Sequence, residues 1–173
     1  EVQVYAERHL GEVASQLHSS GRPVAQGAVV VMRPNGEVLA MVGGLGDDVV
    51  GRGVNRAKQT RGLHSRPPAS TFKPFVYLAA LESGLGPHSM IDAAPVSIAI
   101  PGGPPYRPAN HDGRTYGQIT LRDGLINSVN TAAVRLLYER VGYDRLFEVG
   151  HRLGLNTNGF ARQWGLALGQ AGV

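Results

Sequence analysis

The chain has 173 residues, 42% hydrophobic and 17% charged, with a formal net charge of +4 at pH 7. That length suits one domain or part of one and can bury roughly 70% of the unfolded surface, and the composition excludes a disordered or fibrous chain. There is no cysteine, which excludes disulfides, thiolate metal sites and a cysteine nucleophile, and no apolar run approaches the roughly 18 residues of a membrane span.

Val2, Tyr5, Ala6, Leu10, Val13 and Leu17 recur at helical spacing and predict a leading helix within residues 1–24, with Gly21 as its stop. The period then changes. Ala28-Val29-Val30-Val31-Met32 and Val38-Leu39-Ala40-Met41-Val42 flank Pro34-Asn35-Gly36, which predicts a β-hairpin over 25–44 with both Asn35 and Gly36 at positive φ. The unbroken apolar run of the first strand predicts burial on both faces. Residues 43–68 read as a glycine-rich loop. A helix is expected from about Thr71 to Leu81, and residues 84–118 read as irregular. Thr120-Leu121-Arg122-Asp123 fits a capping box opening a short helix. A further helix presents Val134, Leu137, Tyr138 and Val141 on one face and stops at Gly142; the last runs from Asp144 as N-cap to near Gly154. The expected class is α/β in the α+β sense: a leading helix, a hairpin belonging to a larger sheet, and a mostly helical part over 67–173.

The sharpest local feature is Pro67-Pro68-Ala69-Ser70-Thr71-Phe72-Lys73-Pro74. Pro74 is tolerated only in a first helical turn, so a helix begins within about a residue of Ser70. Ser70 then lies at the positive end of a helix dipole, and Lys73 follows one turn later on the same face. A hydroxyl and an amine at this spacing make a nucleophile and a base if burial lowers the amine pKa. The residues equally allow Ser70 or Thr71 to be a helix cap and Lys73 a surface residue. Against that, only two of the 17 basic residues are Lys, and Arg cannot surrender its proton. Ser128-Val129-Asn130 lies between two expected helices, where it either caps the second or lines a cleft opposite Ser70. The six histidines form no metal-binding pattern, and the carboxylates are dispersed. The basic cluster Arg52, Arg56, Lys58, Arg61 and Arg66 has no interleaved aromatic, so nucleic acid is not an expected partner.

In combination these stretches resemble the penicillin-recognising serine enzymes, whose motifs include Ser-x-x-Lys and Ser-x-Asn. The surrounding residues resemble the transpeptidase domain of class A penicillin-binding proteins. Gln26 to Gly44 resembles the family's opening hairpin, and Val54-Asn55-Arg56-Ala57 its Phe-Asn-Arg-Ala box, with Val54 in place of Phe. Arg66 to Tyr77 resembles its nucleophile segment, which usually has Gly where Ala69 stands. Tyr106 to Asn110, Gly117 to Arg122 and Leu166 to Gly169 resemble the flanks of its second motif. The third motif, Lys-Thr/Ser-Gly, is absent, and the chain ends 43 residues after Asn130. The chain is therefore expected to be the N-terminal half of such a domain, excised or processed at Glu1, with a glycosyltransferase domain and membrane anchor upstream.

The resemblance implies a D,D-transpeptidase on the outer face of the bacterial inner membrane, needing no metal or cofactor. Its partners would be peptidoglycan stem peptides ending in D-Ala-D-Ala, and β-lactams that mimic them. Ser70 would form the acyl-enzyme and contribute its backbone N–H to an oxyanion hole. Lys73 would activate Ser70, and Ser128 would relay a proton to the leaving amine. Asn130 would bind substrate and position Lys73. A carboxypeptidase or β-lactamase of the same superfamily, or a non-catalytic β-lactam sensor or scaffold, are the alternatives. Because two strands do not make a stable sheet and leave an edge exposed, the isolated chain is expected to aggregate; a sharp, reversible melting transition of the monomer would contradict this.

Overall fold

The computed structural model describes residues 1–22, 26–46, 55–58, 67–158 and 160–170. They fall into two compact units, Glu1–Thr60 and Arg61–Val173. The expected loop over 43–68, with Asp47, Asp48, Val54 and Arg66, lies mostly outside the described residues. No helix among the described residues is long and apolar enough to cross a membrane.

In the first unit, helix α1 (Val2–Ser19) ends where Gly21 takes φ +76°. Gly21 N–H donates to His18 O at 3.0 Å and Arg22 N–H to Leu17 O at 2.9 Å, the paired bonds of a Schellman stop. Strands β1 (Val29–Met32) and β2 (Val38–Val42) pair antiparallel, as the two apolar runs about Asn35-Gly36 predict. The turn differs from the expected one. Arg33 N–H donates to Glu37 O and Gly36 N–H to Arg33 O, both at 2.9 Å, which leaves a three-residue loop in which only Gly36 has positive φ. Pro34 is the cause: its ring holds φ near −65°, so the chain turns earlier and needs the left-handed conformation only at Gly36.

The burial of β1 also differs. Its residues alternate, with Val29 and Val31 half-buried and Val30 and Met32 43% and 58% exposed. Within this unit one face meets α1 and the other meets solvent. Along α1, Ala6, Leu10 and Leu17 are half-buried as expected, whereas Val2, Tyr5 and Val13 are exposed. Gln3 takes an unexpected part: its side-chain amide accepts from Met41 N–H at 2.9 Å and donates to Met41 O at 3.2 Å, serving β2 as a neighbouring strand would.

In the second unit a 3-10 turn (Ala69–Phe72) leads into α2 (Lys73–Glu82), so the helical backbone starts at the expected place but in its tighter form. The segment read as irregular holds short strands: β3 (Met90–Asp92), β4 (Ile98–Ile100), β5 (Gly103–Tyr106) and β6 (Gln118–Thr120). β3 pairs with β6, and β4 with β5, all antiparallel. Strands of three or four residues, one with two prolines, are too short for a period of two to register. The β3–β6 ladder closes the neck of an excursion over 93–117, reinforced by Ala93 N–H donating to Gly117 O at 2.9 Å.

Helix α3 (Leu121–Ile126) opens on Thr120, whose hydroxyl accepts from Asp123 N–H at 3.0 Å, the cap read from sequence. Helix α4 (Asn130–Leu136) runs on into a π turn (Leu137–Val141), and α5 (Gly142–Arg152) follows at once. Gly142, at φ +72°, both ends one helix and begins the next. Asp144 therefore sits in the first turn of α5, where it meets Arg162, and Val141 holds the N-cap position. Tyr138, expected on the inner face, is exposed, because the π turn carries it out of step with Val134.

Helix α2 packs on α4 and α5, and a 3-10 turn (Trp164–Leu168) packs on α4 and on the Ala69–Phe72 turn. Ala80, Ala132 and Ala133 are fully buried between the helices, and these small side chains let the backbones approach closely. Gly124 serves the same end: a Cβ there would lie 2.7 Å from the Tyr77 hydroxyl. Tyr77 is buried, and its hydroxyl has no hydrogen-bond partner among the described residues. Gly124→Ala is therefore expected to lower stability by about 1–3 kcal/mol despite alanine's better helix propensity, and Tyr77→Phe to restore most of it. Denaturant unfolding of both single variants and the double variant measures this.

Candidate active site

Of the residues nominated by sequence, Ser70, Ser128 and Asn130 line an open cleft of about 600 Å³ in the second unit, together with Asn110 and Gly169, and Lys73 is bonded to two of them. Ser70 stands exposed in the 3-10 turn and Lys73 opens α2. The stretch before Ser70 is held tightly. Ala69 takes φ +51°, its N–H donates to Gly169 O at 3.1 Å, and a Cβ on Gly169 would collide with the Ala69 backbone. Alanine in the left-handed region costs about 1–2 kcal/mol, so Gly169 and the Trp164–Leu168 turn hold Ala69 there at the expense of strain.

Neither Ser70 nor Thr71 caps the helix. Phe72 occupies the N-cap position of α2 and Pro68 that of the 3-10 turn, and the Thr71 hydroxyl donates back to Pro68 O. Lys73 is not a surface residue: it is 1% exposed. Its Nζ donates to Ser128 O at 2.6 Å, Ser128 Oγ at 2.9 Å and Asn130 Oδ1 at 2.6 Å. An ammonium has three N–H donors, and each finds one acceptor. Desolvation nevertheless outweighs these contacts and lowers the Lys73 pKa from 10.5 to about 8. The amine therefore gives up its proton more readily than an exposed lysine does.

Ser128 owes its place to helix termination. Ser128 N–H donates to Leu125 O at 3.0 Å and Val129 N–H to Gly124 O at 2.9 Å, the same Schellman pair that ends α1. At the end of α1 the left-handed position is filled by Gly21; here it is filled by Ser128, at φ +52°. The conformation turns both the carbonyl and the hydroxyl of Ser128 onto Lys73. Nor does Asn130 cap its helix. Its Oδ1 accepts from Lys73, and its Nδ2 donates to Ala109 O at 2.7 Å, leaving one amide hydrogen for another partner.

Sequence reasoning missed the excursion over 93–117 as part of the site. Asn110 Oδ1 accepts from Asn130 N–H at 2.9 Å and Thr131 N–H at 3.2 Å. The buried Thr131 hydroxyl donates to Ala93 O at 2.6 Å. Asp112 and Tyr116 also line the cleft, joined by a 2.6 Å hydrogen bond from the Tyr116 hydroxyl. That bond, followed by one from Arg114 N–H, holds the Asp112 carboxyl below the ordinary carboxylate range. No local spacing could have signalled these partners; the Tyr106–Asn110 stretch drew notice only through resemblance. Among the described residues no group of three His, Asp or Glu is placed to hold a metal ion.

Residues 27–170 match the model of the penicillin-binding protein transpeptidase domain. Among curated relatives, penicillin-binding protein 1A of Rickettsia felis is 40% identical over 137 residues, covering 78% of this chain and 16% of the relative. Penicillin-binding protein 1A of Neisseria lactamica is 40% identical over 151 residues, covering 85% and 18%. The chain thus spans less than a fifth of these relatives' length. The crystal structure of penicillin-binding protein 1A from Haemophilus influenzae superposes with a TM-score of 0.74 at 35% identity, covering 84% of this chain and 21% of that one. The PonA1 protein from Mycobacterium tuberculosis in complex with penicillin V gives 0.68 at 25% identity, covering 97% and 44%.

The chain has two lysines, so lysine-selective NMR can assign the Lys73 signal by its loss in Lys73→Ala. That signal is expected to titrate with a midpoint near 8. Between pH 8 and 10.5 the unfolded chain binds a proton that the folded chain has released, so stability is expected to rise with pH across that window. A midpoint near 10.5, or stability falling through the window, would count against the buried amine.

Proposed function

The chain belongs to the penicillin-binding protein transpeptidase family, and from that premise we propose that it carries the nucleophile and base of a serine D,D-transpeptidase that cross-links peptidoglycan. The observation that carries this reading is the Lys73 amine: buried, depressed in pKa, bound to Ser128 and Asn130, and one turn beyond Ser70.

Ser70 Oγ attacks the carbonyl between the last two D-alanines of a stem peptide as its proton passes to the neutral Lys73 amine. The carbonyl oxygen, now anionic, is stabilised by the Ser70 backbone N–H at the helix start. The C–N bond breaks, and the departing amine of D-alanine takes a proton from Lys73 through Ser128 Oγ, 2.9 Å from Nζ. The acyl group remains on Ser70 until the amine of a neighbouring stem peptide attacks it, forms the cross-link and returns Ser70 to its hydroxyl form. Asn130 holds Lys73 through Oδ1 and offers its free amide hydrogen to the substrate. A β-lactam, whose ring amide stands in for the D-Ala-D-Ala bond, acylates the same oxygen. We place the protein on the outer face of the bacterial inner membrane, with an anchor and a glycosyltransferase domain in other parts of the polypeptide.

Intact mass after incubation with a penicillin tests the reading on the intact protein. One penicillin is expected to add, and the addition is expected to vanish in Ser70→Ala. Lys73→Ala is expected to slow acylation roughly 10²–10⁴-fold, the usual worth of a general base. The wild-type acylation rate should climb as pH rises through about 8, because the neutral amine is the active form. Unchanged labelling of Ser70→Ala would overturn the nucleophile assignment. Rapid loss of the adduct to water would assign the site to a β-lactamase instead.

A further inference from the structure

Helix α4 has an unusual beginning. Its N-cap residue is Val129, which has no side-chain acceptor. The first N–H groups of a helix need partners, and normally a Ser, Thr, Asp or Asn at the cap position supplies one. Here the partner comes from 20 residues upstream, where Asn110 Oδ1 accepts from both Asn130 N–H at 2.9 Å and Thr131 N–H at 3.2 Å. Asn110 is itself held, its Nδ2 donating to Arg114 O at 2.9 Å. Its neighbour Ala109 offers the carbonyl that fixes the Asn130 amide. The same dipeptide thus satisfies the helix start and sets the plane of the Asn130 side chain.

We propose that Asn110 is a positioning residue for the acylation step: by capping α4 from the 93–117 excursion it releases the Asn130 side chain from capping and holds Asn130 Oδ1 on Lys73. The inference rests on the reading of Lys73 as the base for Ser70. Without the remote cap, the Asn130 side chain is the nearest acceptor able to turn toward the open helix start, and Lys73 loses one of its three acceptors. A neighbouring carbonyl, Ala109 O, would shift with the same loop. Acylation should then slow because the amine is no longer aimed, and recognition of the penicillin, which precedes it, should weaken by no more than the one hydrogen bond that Asn130 offers it.

The test measures penicillin acylation of the intact protein by stopped flow. The dependence on penicillin concentration separates the acylation rate constant from the dissociation constant of the preceding complex, each at the plateau of the pH profile. Asn110→Ala removes the cap. Asn110→Gln keeps the amide but moves its carbonyl by one methylene. Asn110→Asp keeps the acceptor oxygen at the start of α4 and exchanges the Nδ2 donor that meets Arg114 O for a second oxygen. The expected result is an acylation rate constant lowered about tenfold in the Ala and Gln variants, with the dissociation constant raised by less than that, and an acylation rate constant within about threefold of wild type in Asp. A variant that melts earlier but acylates at the wild-type rate when folded would reduce Asn110 to a structural cap and overturn the proposal. If the Ala variant does not fold, the Gln and Asp pair decides: equal rates in both overturn it. A wild-type protein that takes up no penicillin would instead overturn the acyl-enzyme reading, and this inference with it.

Discussion

Three acceptors around one buried ammonium tie the second unit together. Lys73 comes from the start of α2, and its partners come from the turn between α3 and α4. Taking an ammonium out of water carries a large cost, which close hydrogen bonds to a carbonyl, a hydroxyl and an amide oxygen only partly offset. The remaining imbalance appears as the lowered pKa, about 8, and gives the amine its chemistry. An arginine could fill the space and the contacts but could not give up the proton.

The cleft is also a place where local backbone preference yields to function. Ala69 and Ser128 are the non-glycine residues at positive φ among those described, and both border the cleft. Each occupies a position that glycine would fill with less strain. At Ser128 the return is evident, since a glycine would end α3 equally well but would bring no hydroxyl to Lys73. At Ala69 the strained residue is clamped by Gly169, whose missing side chain permits the close approach. Tight packing of one segment and strain in its neighbour together set how the Ser70 turn is presented.

The excursion over 93–117 connects these features to the rest of the unit. Its neck is the β3–β6 ladder, and it reaches α4 through Ala93 at that neck and through Ala109 and Asn110 farther along. Read along the chain, it is a run of glycine and proline with strands of three or four residues, below the length at which periodicity speaks. In space it replaces the capping residue that α4 lacks. The two readings that competed at Ser128-Val129-Asn130, helix cap or cleft wall, are separated by this contact, because a side chain already capped from elsewhere is free for other work.

Much of the fold was legible from residues alone. The 3.6-residue spacing of α1, the Gly21 stop, the paired β-branched runs and the Thr120 cap depend on interactions within a few positions, which local sequence encodes. The one-turn spacing of Ser70 and Lys73 was legible for the same reason, since Pro74 dates the start of the helix. What lay beyond reach were features whose partners are remote: the Pro34-imposed turn geometry against an Asn-Gly signal, the one-sided burial of β1, the strands inside 84–118, and Asn110 on α4. The sequence by itself nominated Ser70, Lys73, Ser128 and Asn130 and set the first two one helical turn apart. Tertiary structure alone decided that Lys73 is buried, that Ser128 and Asn130 surround it, and that a distant asparagine meets the start of α4, because desolvation and hydrogen-bond geometry exist only once segments far apart in the chain are brought into contact.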